Sequence, residues 1–347
     1  MKILITGGAG FIGSALVRKL VQQDKHTVIN IDKLTYAGNL DSLTFKNLEH
    51  KYHFHKVDIC SRDEIREIFD HYRPDCIIHL AAESHVDKSI GGPENFIRTN
   101  ILGTFTLLEV VRDFLNSHRK EEKDFKFLHV STDEVYGDLT INEEPFNEEH
   151  KYAPSSPYSS SKASSDHLVR AWYRTYGLPI LITNCSNNYG PFQFPEKLIP
   201  NTIISAIQGK SIPIYGNGEQ IRDWLYVDDH VEALLNVLEE GTIGQTYNVG
   251  GGNEIKNIDV VNQICDLLDE FNPSNLDHRG SHKDLIDFVE DRPGHDKRYA
   301  INNSKIKREL SWTPKKNFKS GIHETVLWYL QHQNWWKRIF SGDYKSN

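Results

Sequence analysis

The chain has 347 residues, 38% hydrophobic and 25% charged, which is ample material for a core and, as a soft prior, for two domains or one enlarged one. A net charge of -8 argues against nucleic acid or an acidic membrane surface as partner, while leaving room for local basic pockets that take phosphate. The four cysteines (Cys60, Cys76, Cys185, Cys265) form no Cys-x-x-Cys pair, a strand begins at Lys2 with no room for a signal core, and no apolar run approaches the ~20 residues of a membrane span, so reduced thiols and a cytoplasmic location are expected.

Lys2 to Thr6 reads as an apolar strand. Gly7-Gly8-Ala9-Gly10-Phe11-Ile12-Gly13 follows, then a helical pattern from Ser14 to Gln23, a second strand from Thr27 to Ile31, and Asp32. Strand, glycine turn, helix, strand and acid in this order predict dinucleotide binding, because the glycines let backbone N–H groups approach a pyrophosphate at the helix N-terminus. Asp32 is expected to accept from an adenosine ribose and to repel a 2′-phosphate, favouring NAD over NADP; Lys33 beside it leaves that preference open. Lys33, Leu34 and Thr35 begin a polar turn that runs to Asn39. A third strand is predicted from Tyr52 to Val57, ending at Asp58-Ile59, where the acid suits an adenine amino group. Ser61 to Tyr72 reads as a helix with Ser61 as its N-cap, and Asp75 to Leu80 as the fourth strand. Ala81-Ala82 and then Ser84 put small residues where a cofactor passes close to the backbone, or where packing is simply tight. A long helix from Pro93 to Asn116 carries Thr99 and Asn100, and residues 119–124 form a charged, solvated loop.

Lys126 to Val130 reads as a buried strand with Ser131-Thr132-Asp133-Glu134 at its carboxyl end, the edge where open α/β sheets bind ligands. Lys162 to Tyr176 has helical periodicity, and Tyr158 and Lys162, four apart, share a face. An ammonium beside a phenol lowers its pKa from about 10, which would fit Tyr158 as a general base. Tyr-x-x-x-Lys by itself is a common accident, and Asp133-Glu134 also reads as a solvated pair of loop carboxylates. The preceding strand–helix units favour Ser131, Tyr158 and Lys162 as a dehydrogenase triad behind a nicotinamide. Strands and helices alternate throughout this half, which predicts a Rossmann-type, doubly wound parallel sheet of the α/β class.

Pro179 to Thr183 is a further strand, followed by a block from Asn184 to Pro200 that contains Asn187, Asn188, Lys197 and Leu198. Pro213 and Tyr215 lie in a short apolar stretch that offers an aromatic, and Arg222 is a cation able to grip a diphosphate bidentately. Asn257 opens the helix Ile258 to Phe271, as a plain N-cap or as a ligand contact. Arg292 and His295 lie in a late loop. His278 and His282 are spaced for a metal on a helix, but no acidic or cysteine partner surrounds them and no metal is expected. Ser320 to Gln333 reads as a closing helix, and Trp335 to Asn347 as a peripheral tail. Residues 1–185 are expected to form the cofactor domain with the catalytic residues. Residues 186–347 are expected to form a smaller C-terminal substrate-binding domain, with some segments returning to the first sheet.

The Gly-x-x-Gly-x-x-Gly spacing resembles the extended branch of the short-chain dehydrogenase/reductase superfamily. Gly7 to Gly13, Asp32 to Asn39, Ser131 to Tyr136, Tyr158 to Lys162 and Asn184 to Pro200 together look like its dTDP-glucose 4,6-dehydratase family, and the resemblance covers nearly the whole chain. The Asp-Glu pair after Thr132 is the most discriminating mark, since epimerases on the same fold lack it. The resemblance implies that NAD is bound and regenerated. The glycine turn with Phe11 and Ile12, Asp32 to Thr35, Asp58, Ile59, Leu80 to Ala82, Ser84, Thr99, Ser131, Tyr158, Lys162 and Asn188 would hold it. On the sugar nucleotide it implies Ser84, Thr132, Asn187, Lys197, Leu198, Pro213, Tyr215, Arg222, Asn257, Arg292 and His295. For catalysis the resemblance implies that Tyr158 takes the C4 hydroxyl proton, Thr132 bonds near O4, Glu134 removes the C5 proton, Asp133 donates to the departing C6 hydroxyl, hydride returns to C6, and Lys162 holds the nicotinamide ribose. The implied substrate is dTDP-glucose and the implied assembly a homodimer through the helices beginning near Pro93 and Tyr158. UDP-glucose as substrate, a 4-epimerase, and an NAD-sensing module without activity are the rival readings.

Overall fold

The computed structural model describes residues 1–45, 49–118, 124–272 and 280–346; most of the charged loop (119–123), His278 and Asn347 lie outside them. Twelve strands occur among the described residues. They are β1 (Lys2–Thr6), β2 (Thr27–Ile31), β3 (Tyr52–His55), β4 (Cys76–His79), β5 (Lys126–Thr132), β6 (Ile180–Cys185), β7 (Asn187–Tyr189), β8 (Ile212–Tyr215), β9 (Ile221–Tyr226), β10 (Thr246–Val249), β11 (Glu254–Lys256) and β12 (Ile286–Val289). Seven of them form one sheet in the order β10-β6-β5-β4-β1-β2-β3, with every neighbouring pair parallel. Runs such as Ile3-Leu4-Ile5 and Ile77-Ile78 are apolar without alternation because helices cover both faces. Helices Phe11–Gln22 and Val227–Glu240 pack on one face, and Arg62–Tyr72, Thr104–His118 and Pro157–Tyr176 on the other. The chain reverses direction across the sheet between β1 and β4, which opens a crevice at their carboxyl ends, the binding place of doubly wound folds.

A second apolar cluster lies beyond β6. Helices Leu198–Ile207, Asn257–Phe271 and Phe318–Gln331 enclose it with the small sheet β11-β9-β7. β12 pairs in parallel with β8, and β10 inserts beside β6, so the late chain re-enters the first sheet.

Several local expectations change. The first helix starts at Phe11, ahead of Ser14, so Gly13 is already helical. The predicted helix from Pro93 is not uniform. A short turn, Glu94–Phe96, leads into a π-helical segment, Ile97–Gly103, before the α-helix Thr104–His118. The wider turn carries Asn100 to a set of partners: its Oδ1 accepts from Glu83 N–H at 2.9 Å, and its Nδ2 donates to Glu83 O and to Ser161 Oγ. Asn257 is the first helical residue, with Lys256 as the cap and no side-chain cap bond, so it is not a plain N-cap.

The tail is not peripheral. Helix Gln333–Ser341 buries Trp335 and Trp336. Trp335 donates to Ser42 Oγ at 3.1 Å, Arg338 to Asp41 at 2.7 Å, and the Tyr344 hydroxyl to Tyr36 O at 2.7 Å. The last residues therefore pin the turn that follows β2. His282 Nδ1 is bonded to Asp269.

Candidate active site

The glycine turn is shaped by close approach. Gly7 has φ +75, and a Cβ there would meet Ala81 N at 2.6 Å; one at Gly13 would meet Gly7 O at 2.1 Å. Asp32 ties the turn to the next loop, accepting from Ala9 N–H at 3.0 Å and from Leu34 N–H at 2.8 Å. Burial raises the pKa of its carboxyl, and those two backbone bonds oppose the rise.

From this turn one cleft runs along the carboxyl edge of β1, β2, β4, β5 and β6. Of the expected cofactor residues, Gly7, Gly10, Phe11, Ile12, Gly13, Asp32, Lys33, Thr35, Ile59, Leu80, Ala81, Ala82, Ser84, Thr99, Ser131, Tyr158, Lys162 and Asn188 line it. Leu34 and Asp58 do not: Leu34 contributes its N–H to Asp32, while Asp58 accepts from Cys60 N–H at 2.9 Å and faces Lys33 at 3.7 Å. The cleft fits a dinucleotide on two counts. The glycine cradle has no space for a Cβ, and Ser131 Oγ and Asn187 Oδ1 line the cleft buried and without partners, as groups awaiting a polar ligand are.

Thr132 ends β5 and its hydroxyl accepts from Glu134 N–H at 3.3 Å, capping the short turn Asp133–Val135. This turn tucks Asp133 inward to 2% exposure, so the acid pair is not a solvated loop. Burial drives the Asp133 carboxyl well above the ordinary range, Glu134 and Asp223 add to the rise, and its Oδ2 has no partner. Glu134 is raised too, again by burial, but Arg292, Arg222 and Lys197 pull it back. Two adjacent carboxyls thus differ in environment: two further carboxyls add to the rise at Asp133, and three cations oppose the rise at Glu134.

Helix Pro157–Tyr176 begins with a Ser156–Ser159 capping box and proline in its first turn, which fixes the start at which Tyr158 stands. Tyr158 and Lys162 both face the cleft. Lys162 Nζ donates to Val130 O at 2.9 Å. The expected lowering of the Tyr158 pKa is reversed. Burial raises it well above the ordinary phenol value, Glu134 and Cys185 push the same way, and a hydrogen bond from Thr132 is the opposing influence. Spacing revealed the neighbouring cation but not the depth at which the phenol is buried.

Of the expected substrate residues, Ser84, Thr132, Asn187 and Lys197 line the cleft; Leu198, Pro213, Tyr215, Arg222, Asn257, Arg292 and His295 lie outside its lining. Lys197 Nζ donates to Ser84 O at 3.0 Å, and Leu198 opens the helix after it. Pro213 and Tyr215 are the exposed positions of β8. The Tyr215 hydroxyl and Arg292 Nη1 both reach Asp87, at 3.1 and 3.3 Å, and His295 Nδ1 meets Asp291 at 2.6 Å. Arg222 is buried, donates to Ile221 O and Asp296 O, lies 4.4 Å over the Tyr299 ring, and acts on Glu134 in the cleft. Asn257 Oδ1 and Arg292 Nε are buried without partners.

Sequence reading missed a knot at the cleft mouth. Glu196 accepts from the Tyr36 hydroxyl and from Lys88, both at 2.9 Å, and faces His85 at 3.5 Å. No spacing rule could join Tyr36 to Glu196. Cys185 and Ser186 were findable, because they stand at the carboxyl end of β6, beside Ser131 and Thr132 of β5.

Comparison with known proteins places this geometry. The family model described as GDP-mannose 4,6 dehydratase matches residues 4–325. A dTDP-glucose 4,6-dehydratase of Salmonella typhimurium is 58% identical, covering 100% of this chain and 97% of the relative. The crystal structure of dTDP-glucose 4,6-dehydratase from Bacillus anthracis in complex with NAD has a TM-score of 0.85 at 44% identity, covering 98% of this chain and 99% of that one. The Streptomyces venezuelae dTDP-glucose 4,6-dehydratase, also solved with NAD, has a TM-score of 0.88 at 40% identity, covering 98% and 100%. With the seven-stranded sheet, the second apolar cluster and the acid pair inside this full-length match, the chain belongs to the dTDP-glucose 4,6-dehydratase family of the short-chain dehydrogenase/reductase superfamily.

Proposed function

We infer that this chain is a lyase that uses NAD to convert dTDP-glucose to dTDP-4-keto-6-deoxyglucose. The observation that carries the reading is the pair of buried Asp133 and cleft-facing Glu134 beside Tyr158, in a chain 56% and 58% identical to two dTDP-glucose 4,6-dehydratases. When bound, NAD supplies a reversible hydride acceptor and a cationic ring whose charge favours the Tyr158 phenolate. The glycine turn holds its pyrophosphate, Asp32 its adenosine ribose, and Lys162 its nicotinamide ribose. Asp32 also repels a 2′-phosphate, with Lys33 turned toward Thr99 and Asp58.

Tyr158 takes the C4 hydroxyl proton, and Thr132 hydrogen-bonds O4 as the ketone forms. The ketone acidifies C5, where Glu134, its carboxylate favoured by Arg292, Arg222 and Lys197, removes the proton. Asp133, kept protonated by burial and by Glu134, gives its proton to the departing C6 hydroxyl, and water is lost. The hydride equivalent taken from C4 then returns to C6 as Glu134 gives a proton back to C5, which completes the 4-keto-6-deoxy product. Lys197, Arg292 and His295 serve the diphosphate, and Asn257 offers its unpartnered oxygen to the nucleotide side.

Residues 1–185 serve mainly the cofactor and 186–347 mainly the sugar nucleotide, with β10 shared. Exposed Ile97, Leu102, Phe105 and Tyr176 on two neighbouring helices support a homodimer through that face; sedimentation as a monomer at micromolar concentration would remove it. No helix among the described residues is long and apolar enough to cross a membrane, and four free cysteines accord with the cytoplasm. The reading is tested by incubation with dTDP-glucose and with UDP-glucose. A 4-keto product is expected from dTDP-glucose, and equal turnover of UDP-glucose would break the assignment of the base.

A further inference from the structure

Lys162 is a buried ammonium, 4% exposed, with one hydrogen bond, to Val130 O. A charge at that depth persists only where an opposite charge and hydrogen bonds offset its lost hydration. One helical turn on, along the same face, stands Asp166, fully buried. Its Oδ1 accepts from His129 Nε2 at 3.1 Å and its Oδ2 from the Tyr152 hydroxyl at 2.8 Å. Tyr152 in turn accepts from Arg170 at 2.6 Å and from Asn184 at 3.0 Å. None of these five residues lines the cleft, so none of them is a catalytic residue.

The groups that bear on Lys162 come from four elements. His79 on β4, bonded to Thr6 and Thr104, is held neutral by burial. His129 on β5 is pushed down to about 4 by burial and by Lys162 itself, so it is a neutral donor to Asp166. Cys185 on β6 is pushed up to about 12 by burial and keeps its proton. Asp133 and Glu134 bear on Tyr158. Asp166, on the helix of Lys162, is kept ionised below the usual carboxylate range against its burial, by the His129 bond first and by Arg170 and Lys162 after it. Tyr136 and Tyr152, facing it, stay protonated.

We propose that Asp166 is a positioning residue for the reaction: clamped between His129 and Tyr152, it keeps Lys162 charged and held at the β5 edge beside Tyr158. The proposal rests on the reading above only in giving Lys162 its task; the charge pair can be measured without turnover. In carbon-13 lysine-labelled protein, with the Lys162 signal identified by its loss in Lys162→Met, Asp166→Asn is expected to move the Lys162 titration toward neutrality by about one pH unit or more. Asp166→Glu is expected to return most of that shift. With dTDP-glucose, the alkaline limb of the kcat/KM profile moves in step.

A Lys162 titration unchanged in Asp166→Asn overturns the proposal, whether or not the chain turns over dTDP-glucose. A shifted titration in a protein without that activity supports the charge pair and sinks the functional reading instead. If Asp166→Asn does not fold, thermal unfolding of Lys162→Met/Asp166→Asn decides. Compensation predicts that removing both charges restores a folded protein. A double variant as unfolded as the single one assigns Asp166 to packing and ends the proposal.

Discussion

Glu134→Gln is expected to lower turnover of dTDP-glucose by about 10²–10⁴-fold while the near-ultraviolet band of reduced nicotinamide builds up on the enzyme. The amide cannot take the C5 proton, yet it leaves Tyr158 and Thr132 at the C4 side intact, so oxidation goes forward and elimination stalls. Tyr158→Phe is expected to lose a similar factor without that band, because the C4 hydroxyl keeps its proton and the sequence never starts. Stopped-flow absorbance on the two variants separates these outcomes. Near-normal turnover by either one removes that residue from the mechanism. The contrast is sharp because the two side chains influence each other: Glu134 is, after burial, the leading cause of the raised Tyr158 pKa. Glu134→Gln removes that negative charge, which should ease the first proton transfer as it blocks the second.

The second result concerns where a label travels. Substrate carrying deuterium at C4 is expected to yield product with deuterium at C6, and with a solvent-derived proton at C5. No external oxidant or reductant is consumed, so what leaves C4 must return to the same sugar. The Asp133–Glu134 pair brings C6 into play by expelling its hydroxyl. Glu134 faces a cleft open to solvent and exchanges the C5 proton with water. An epimerase would return the label to C4, and a simple dehydrogenase would lose it to free reduced cofactor. Mass spectrometry and proton NMR of the product distinguish all three, and absence of label at C6 would falsify the dehydratase reading.

The parts of this fold that were legible in the sequence are those governed by local pattern. Ile3-Leu4-Ile5 and Ile77-Ile78 announce strands buried on both faces, and an acid after the second strand marks the ribose edge. Asp133-Glu134 could be seen, but not weighed: only the turn capped by Thr132 shows that Asp133 faces inward. Tyr158 shows the same limit from the other side, since Lys162 four residues away suggests a lowered pKa and burial reverses it. The π segment at Ile97–Gly103 was hidden because one widened turn barely alters a helical apolar stripe. Nothing local reveals that Arg222 packs over Tyr299, much later in the chain. The tail does carry a readable signal: two adjacent tryptophans, Trp335 and Trp336, seldom stay in water.

That tail gives the loop beside the cleft a place in time as well as in space. Tyr36 receives its bond from a residue 308 positions later, and Ser42 from one 293 positions later. On the ribosome, β1, β2 and the glycine turn emerge, and can pair, long before Trp335 and Tyr344 exist. The turn after β2 must then wait, half-packed, for nearly the whole chain to be made. The cofactor mouth is thus synthesised about 300 residues before the side chains that finish it.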